Sequence, residues 1–279
     1  MNSFERPSKK LIKELKKISV ATACNILRDL IKGPVDSLVM DNLRPLYGAD
    51  YTLCGPAVTI EFKEEPLYAH NLAMEAAREN KVDITTLAKD NLKQGDVIVN
   101  AALGHIEYGT YGDVKCYAFK GKGAAGAITD GVFKDSSFLR KMKDFPIYTY
   151  MGDSVAYSRH GTITGVNPIT ATDYNVDVVC DDVIVRPGDI ILADEAVIVL
   201  PIELAEEVAD QGVSIEETEI LQRKLALTGL FSGRSHFTRE EANELIKKLT
   251  KTQAKKYDLL PEWDILNSRA PIRKLNFAG

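Results

Sequence analysis

Between Gly95 and Gly152 the sequence changes period four times. "GDVIVNA" (95–101) is a β-branched run. "GDVKCYAFKGKG" (112–123) is helical and ends in glycines. "AAGAIT" (124–129) is a buried strand, "SSFLRKMKDF" (136–145) a short helix, and "PIYTYMG" (146–152) the next strand. Strands that alternate with single helices bury their faces by joining one sheet with helices laid across it, so this rhythm specifies an α/β domain and not a helical bundle. The block "VDVVCDDVIVRPGDIILADEAVIVLP" (176–201) adds two β-branched runs joined at "RPGD", with Pro187 then Gly188 at the turn's centre. A mixed sheet is therefore expected.

The flanks complete the organisation. Ser8–Leu30 carries helical apolar spacing and is read as one helix stopped by Gly33-Pro34. "GPAVTIEF" (55–62) is a further strand, and "PLYAHNLAMEAAREN" (66–80) a helix with Pro66 in its first turn. Beyond Pro201 the chain reads as helical. "IELAEEVADQ" forms one helix, and Ser214-x-x-Glu217 and Thr238-x-x-Glu241 are capping boxes that would open two more. This gives an α/β domain over 1–204 and a helical extension over 205–279, packed on the same domain or on a neighbouring subunit.

Composition excludes several classes. A net charge of −5 and a pI near 5.5 argue against a nucleic-acid-binding face. No apolar run approaches the about 20 residues of a membrane span. "MNSFERPSKKLIKELKK" has no apolar core after its charges, unlike a secretory signal. Cys24, Cys54, Cys116 and Cys180 lie far apart with no CxxC pair, which fits reduced thiols in a cytoplasmic protein.

Chemistry-bearing motifs are few. "GKGAAG" (121–126) matches GxGxxG but follows a helix and precedes a strand, the reverse of a dinucleotide loop, so a glycine cap explains it. His70, His105, His160 and His236 have no partner at metal-ligand spacing; His70 reads as a packing or surface residue, and His105 could line a pocket. No GxSxG elbow is present. What remains are carboxylates beside glycines. Asp113 follows Gly112 at the positive end of a helix, where an anion is favoured. In "TDGVFKDSS" (129–137), Lys134 and Asp135 lie just beyond a strand's C-terminal end, where open α/β sheets bind ligands. If strand and helix pack, Asp113 and Asp135 can converge. Two acidic oxygens and a lysine suit a hard divalent cation with an anionic substrate. Spacing alone favours a helix-capping Asp113 and a solvated Lys–Asp pair.

The combination resembles the RraA-like class II pyruvate aldolases, a family of 4-hydroxy-4-methyl-2-oxoglutarate/4-carboxy-4-hydroxy-2-oxoadipate aldolases and regulators of ribonuclease E activity. The matching motifs are "GPAVT" (55–59), "GDVIV" (95–99), Gly112-Asp113, "GAAGAITDGVFKD" (123–135), "VRPGDIILAD" (185–194) and "AVIVLP" (196–201), in family order over about residues 15–205. The resemblance implies a mixed-sheet sandwich like the swivelling phosphohistidine domain, in homotrimers or homohexamers with sites between subunits. It implies Mg²⁺ or Mn²⁺ held by Asp135, and by Asp113 through a water. Gly112 and the neighbouring backbone, Val114 included, would bind the carboxylate of a small 2-oxo acid. Lys134 would stabilise developing charge, and a partner carboxylate would complete the site, with Glu203, Glu206 and Glu207 as candidates. The implied reaction is retro-aldol cleavage or oxaloacetate-type decarboxylation through a pyruvate enolate.

Three positions depart from the family pattern. Lys134 stands where the family has arginine, and a lysine is a point charge without a bidentate fork. Lys115 replaces an apolar residue and either adds a cation to the pocket or points to solvent. "ADEAVIVLP" lacks the usual glycine. Two alternatives stay open: an oligomeric, non-catalytic regulator that binds a protein, and Schiff-base chemistry at Lys134, disfavoured because adjacent Asp135 keeps the amine protonated.

Overall fold

The computed structural model describes residues 3–47, 52–64, 83–104, 109–151, 169–230 and 238–267. The expected helix over 66–80 and all four histidines lie outside them. The chain divides into two compact units, Met1–Val213 and Ser214–Gly279.

The first unit is built on a mixed nine-stranded sheet. Its strands are β1 (Val39–Met40), β2 (Leu43–Pro45), β3 (Leu53–Glu64), β4 (Val97–Ala101), β5 (Gly126–Thr129), β6 (Ile147–Tyr150), β7 (Ile169–Tyr174), β10 (Ile190–Ala193) and β11 (Val197–Leu200). The order is β1-β11-β10-β3-β4-β5-β6-β2, with β7 also on β3. Strands β3, β4, β5 and β6 run parallel, and every other pairing is antiparallel. Strand β7 had no counterpart in the sequence reading. β8 (Val178–Cys180) and β9 (Val183–Val185) form a separate ribbon. Asp181 and Asp182 make its two-residue turn, both with positive φ, as a primed hairpin turn requires.

The parallel strands are buried on both faces, which explains why successive positions such as Val97–Val99 and Ala127–Ile128 are apolar. One face packs Ile98, Ala127 and Ile147 against Cys116 and Phe119 of α4 (Asp113–Gly121) and Ala88 of α3 (Ile84–Asn91). The other packs Val97, Val99 and Ile128 against Val178, Cys180, Val183 and Val185 of the ribbon. A third cluster seats α1 (Lys9–Leu15) and α2 (Val20–Ile31) on β10 and β11.

Three expectations are corrected. Ser8–Leu30 is two helices, because Ser19 is extended and its hydroxyl accepts from Thr22 N at 3.1 Å, while Asp194 Oδ2 accepts from Val20 N at 2.9 Å. The helix after Phe133 is only α5 (Ser136–Leu139). Ser214 opens no helix: it lies inside α6 (Ala205–Ala226), which continues through Gly212. The turn at Pro187-Gly188 forms as read, with Gly188 at φ +93° and Asp189 N donating to Arg186 O at 3.1 Å.

In the second unit, α7 (Arg239–Lys247), α8 (Lys251–Lys256) and α9 (Leu260–Asn267) surround Leu221, Leu225, Ile246 and Leu259. Thr238 and Glu241 form the expected capping box, and Thr250 with Gln253 forms a second.

Candidate functional site

Strand β4, helix α4 and strand β5 make a β-α-β unit, so the start of α4 lies at the C-terminal ends of the parallel strands. Backbone pairing then joins the two loops that leave those ends. Gly109 bridges Val132 in parallel register, Thr110 N donates to Val132 O at 2.9 Å, and Lys134 N donates to Tyr111 O at 2.7 Å. This places Asp135 beside Gly112.

The fit there depends on missing side chains. A Cβ on Gly112 would overlap Asp135 Oδ2 and lie 3.6 Å from its Cγ. A Cβ on Gly109 would lie 2.9 Å from Lys134 Cε. The two glycines thus leave room for the carboxylate and the ammonium stem. Asp135 is in the left-handed region (φ +61°) and sits at the N-terminus of α5, yet its side chain makes no cap. Its backbone carbonyl accepts from Phe138 N and Leu139 N at 2.9 and 3.1 Å. Among the described residues its carboxylate has no hydrogen-bond or ion-pair partner.

Asp113, in the first turn of α4, accepts from Val114 N at 2.8 Å. The carboxylates of Asp113 and Asp135 both act on the buried Cys116 thiol. Burial first, then the two anions, push that thiol up to about 12. Lys134 is half-buried, and burial holds its ammonium below the ordinary lysine range; Lys115 pushes the same way and Asp135 opposes it. Lys115 Nζ lies 3.7 Å from Asp83 Oδ2 and 5.0 Å from the Tyr111 ring, so it flanks the site and is not simply solvated. The Val114 side chain is 75% exposed. Glu203, Glu206 and Glu207 are all exposed; Glu203 is paired with Arg186 at 2.8 Å, and Glu207 accepts from Gln211 Nε2.

One residue was overlooked. Asp130 is buried and its carboxylate accepts from Ala102 N (2.6 Å), Gly104 N (3.0 Å) and Asp181 N (3.3 Å). Burial raises its pKa, and these hydrogen bonds counter the rise. Asp130 anchors the loop after β4 to the ribbon turn. Its signal was the Asp-Gly pair at the strand end.

No group of three or more His, Cys, Asp or Glu side chains capable of holding a metal exists among the described residues. Asp135 lies against Gly112, and Asp113 is the next residue, in the first turn of α4.

Residues 23–200 match the RraA-like family, described as Aldolase/RraA. This chain belongs to the RraA-like family. The matched span contains every strand of the sheet and all of Gly109–Asp135. The solved RraA protein RraAS2 of Streptomyces coelicolor, described as an unusual member of the RNase ES inhibitor RraA protein family, is 27% identical with a TM-score of 0.63, covering 79% of this chain and 99% of that one. An uncharacterized protein of Methanocaldococcus jannaschii is 26% identical over 225 residues, 78% of this chain and 95% of its own length. A protein of Halalkalibacterium halodurans, provisionally named a 4-hydroxy-4-methyl-2-oxoglutarate aldolase, is 36% identical over 108 residues, 38% of this chain and 47% of its own. The RraA-like family thus spans aldolases and RNase inhibitors, and its mixed-sheet architecture is the one this chain adopts.

Proposed function

We propose that this RraA-like chain is a divalent-metal-dependent lyase acting on a short 2-oxo acid, by retro-aldol cleavage or oxaloacetate-type decarboxylation. The observation that carries the reading is the unpartnered Asp135 carboxylate set into the notch of Gly112, one residue from Asp113 at the start of α4. The donors fit Mg²⁺ or Mn²⁺, since such ions take only one or two protein carboxylates and keep several waters. Asp135 would hold the ion directly and Asp113 through a water; the bound ion would act as a Lewis acid toward the 2-oxo acid. The positive end of α4 at Gly112 favours the substrate carboxylate, and Val114 N would join it on leaving Asp113 Oδ1. Lys134, with Lys115 at the rim, supplies positive charge where the pyruvate enolate develops. In the retro-aldol case Asp113 would orient a water toward the proton of the C4 hydroxyl. A homotrimer or homohexamer would bring a further carboxylate, Glu206 or Glu207, from a neighbouring copy.

Pyruvate release from oxaloacetate, and from 4-hydroxy-4-methyl-2-oxoglutarate, tests the reading. Turnover abolished by EDTA, restored by Mg²⁺ or Mn²⁺ and lost in Asp135→Asn supports it. Metal-independent turnover trapped by borohydride would replace it with imine chemistry at Lys134. Failure on every short 2-oxo acid, together with inhibition of an RNase E-type enzyme, would replace it with the regulator reading that RraAS2 exemplifies.

A further inference from the structure

A buried polar row crosses the sheet directly below the site. Register pairs Asn100 of β4 with Ile60 of β3 and with Thr129 of β5. The β5–β6 pairs Ala127–Ile147 and Ile128–Tyr148 extend the row to Thr149. Opposed residues in a parallel sheet share a face. Asn100 is two residues from Ile98 and so shares its face, the α4 side of the sheet. Asn100, Thr129 and Thr149 are each 0% exposed.

Both threonines have an evident task. Thr129 Oγ1 accepts from Gly131 N at 3.1 Å, and Thr149 Oγ1 donates to Gly131 O at 2.8 Å. Together they clamp the residue where the chain leaves β5 toward Lys134 and Asp135. Asn100 has none: among the described residues neither its Oδ1 nor its Nδ2 has a partner.

An unmade buried donor or acceptor keeps its full desolvation penalty, so a bare amide here would be worse than a leucine of similar size. Buried polar groups without protein partners are ordinarily satisfied by internal water. The ligand is not substrate, because Asn100 has no exposed surface. The Thr129 hydroxyl, which receives Gly131 N, retains its own proton to donate. We infer that Asn100 anchors a buried water shared with the Thr129 hydroxyl, and that this water completes the row fixing Gly131 and so positions Lys134 and Asp135. Asn100 is thereby a positioning residue and touches no reacting group.

The decisive measurement is a high-resolution crystal structure of the full chain. Water density within hydrogen-bond distance of the Asn100 amide and Thr129 Oγ1 is expected; a dry contact there overturns the inference. Asn100→Leu provides a second arm. It should lower Tm and leave the water absent, whereas a raised Tm would show that the amide was merely desolvated and overturn it. Asn100→Ser, which keeps a hydroxyl and leaves room for another water, should recover part of the lost Tm. A further arm rests on the lyase reading: Asn100→Leu should lower kcat about tenfold at unchanged KM, and wild-type kcat per folded molecule would refute the positioning role. If the native protein turns over no 2-oxo acid, the lyase reading fails, and the density and Tm arms still decide the water.

Discussion

Gly112 and Asp135 constrain each other sterically, and this separates their contribution to binding from their contribution to stability. Gly112 has an ordinary φ of −95°, so alanine there is not strained by its backbone. Its methyl would instead collide with Asp135 Oδ2. Because Asp135 is exposed and makes no cap, its side chain can swing away at little cost. Gly112→Ala is expected to weaken Mn²⁺ binding, read by electron paramagnetic resonance, while Tm falls by no more than a few degrees. Asp135→Asn should lower metal-dependent turnover about 100-fold or more, the scale of losing a principal electrostatic contact. On the lyase reading, Lys134 should set the alkaline limit. Its folded pKa lies below the ordinary 10.5, so the cationic form, and activity with it, is lost as pH rises through a value below 10.5. Lys115→Ala removes a like charge and should move that limb to higher pH; Asp135→Asn removes the counter-charge and should lower the Lys134 pKa, read by NMR of the side chain.

At the scale of elements, local signals succeeded where they sat at an element's end and failed where a distant group intervened. Thr238 and Glu241 satisfy each other within one turn, at 2.9 and 3.3 Å, so their box was readable from four letters. Thr238→Ala should destabilise by about 1 kcal/mol, measured by chemical denaturation of the full chain. The Pro187-Gly188 turn is equally local. Gly188→Ala must adopt φ +93° and meets Phe4 at 2.9 Å, so a loss of about 1 kcal/mol or more is expected by the same measurement. Ser214-x-x-Glu217 has the same hydroxyl-x-x-Glu pattern as Thr238-x-x-Glu241 and opens nothing. Ala205, Val208 and Ala209 are already packed in the third apolar cluster, and continuing that helix keeps its hydrogen bonds. Conversely, Ser8–Leu30 has continuous helical spacing and is broken because Asp194, 174 residues from Val20, accepts its N–H. Helix propensity cannot register such a bond.

For the molecule as a whole, the interior isolates its thiols. Cys54, Cys116 and Cys180 are buried and Cys24 is partly so, all unpaired. Burial pushes Cys54 and Cys116 up to about 12, and holds Cys180 well above the ordinary thiol range. Titration with a thiol reagent should therefore find at most Cys24 reactive in the native protein and four thiols in denaturant. No helix among the described residues is long and apolar enough to cross a membrane. The sequence by itself determined the α/β class, the parallel strands with their flanking helix, the turn chemistry and the family, because period, β-branching and glycine placement act over a few residues. It also named Asp113, Lys134 and Asp135. Only the tertiary structure decided that Asp135 lies in the notch of Gly112, that Asp130 ties β4 to the ribbon, and that Asn100 sits unpaired beneath them. Those relations depend on strand register and on which loops pair, and a chain fixes these only when its whole apolar surface is buried at once.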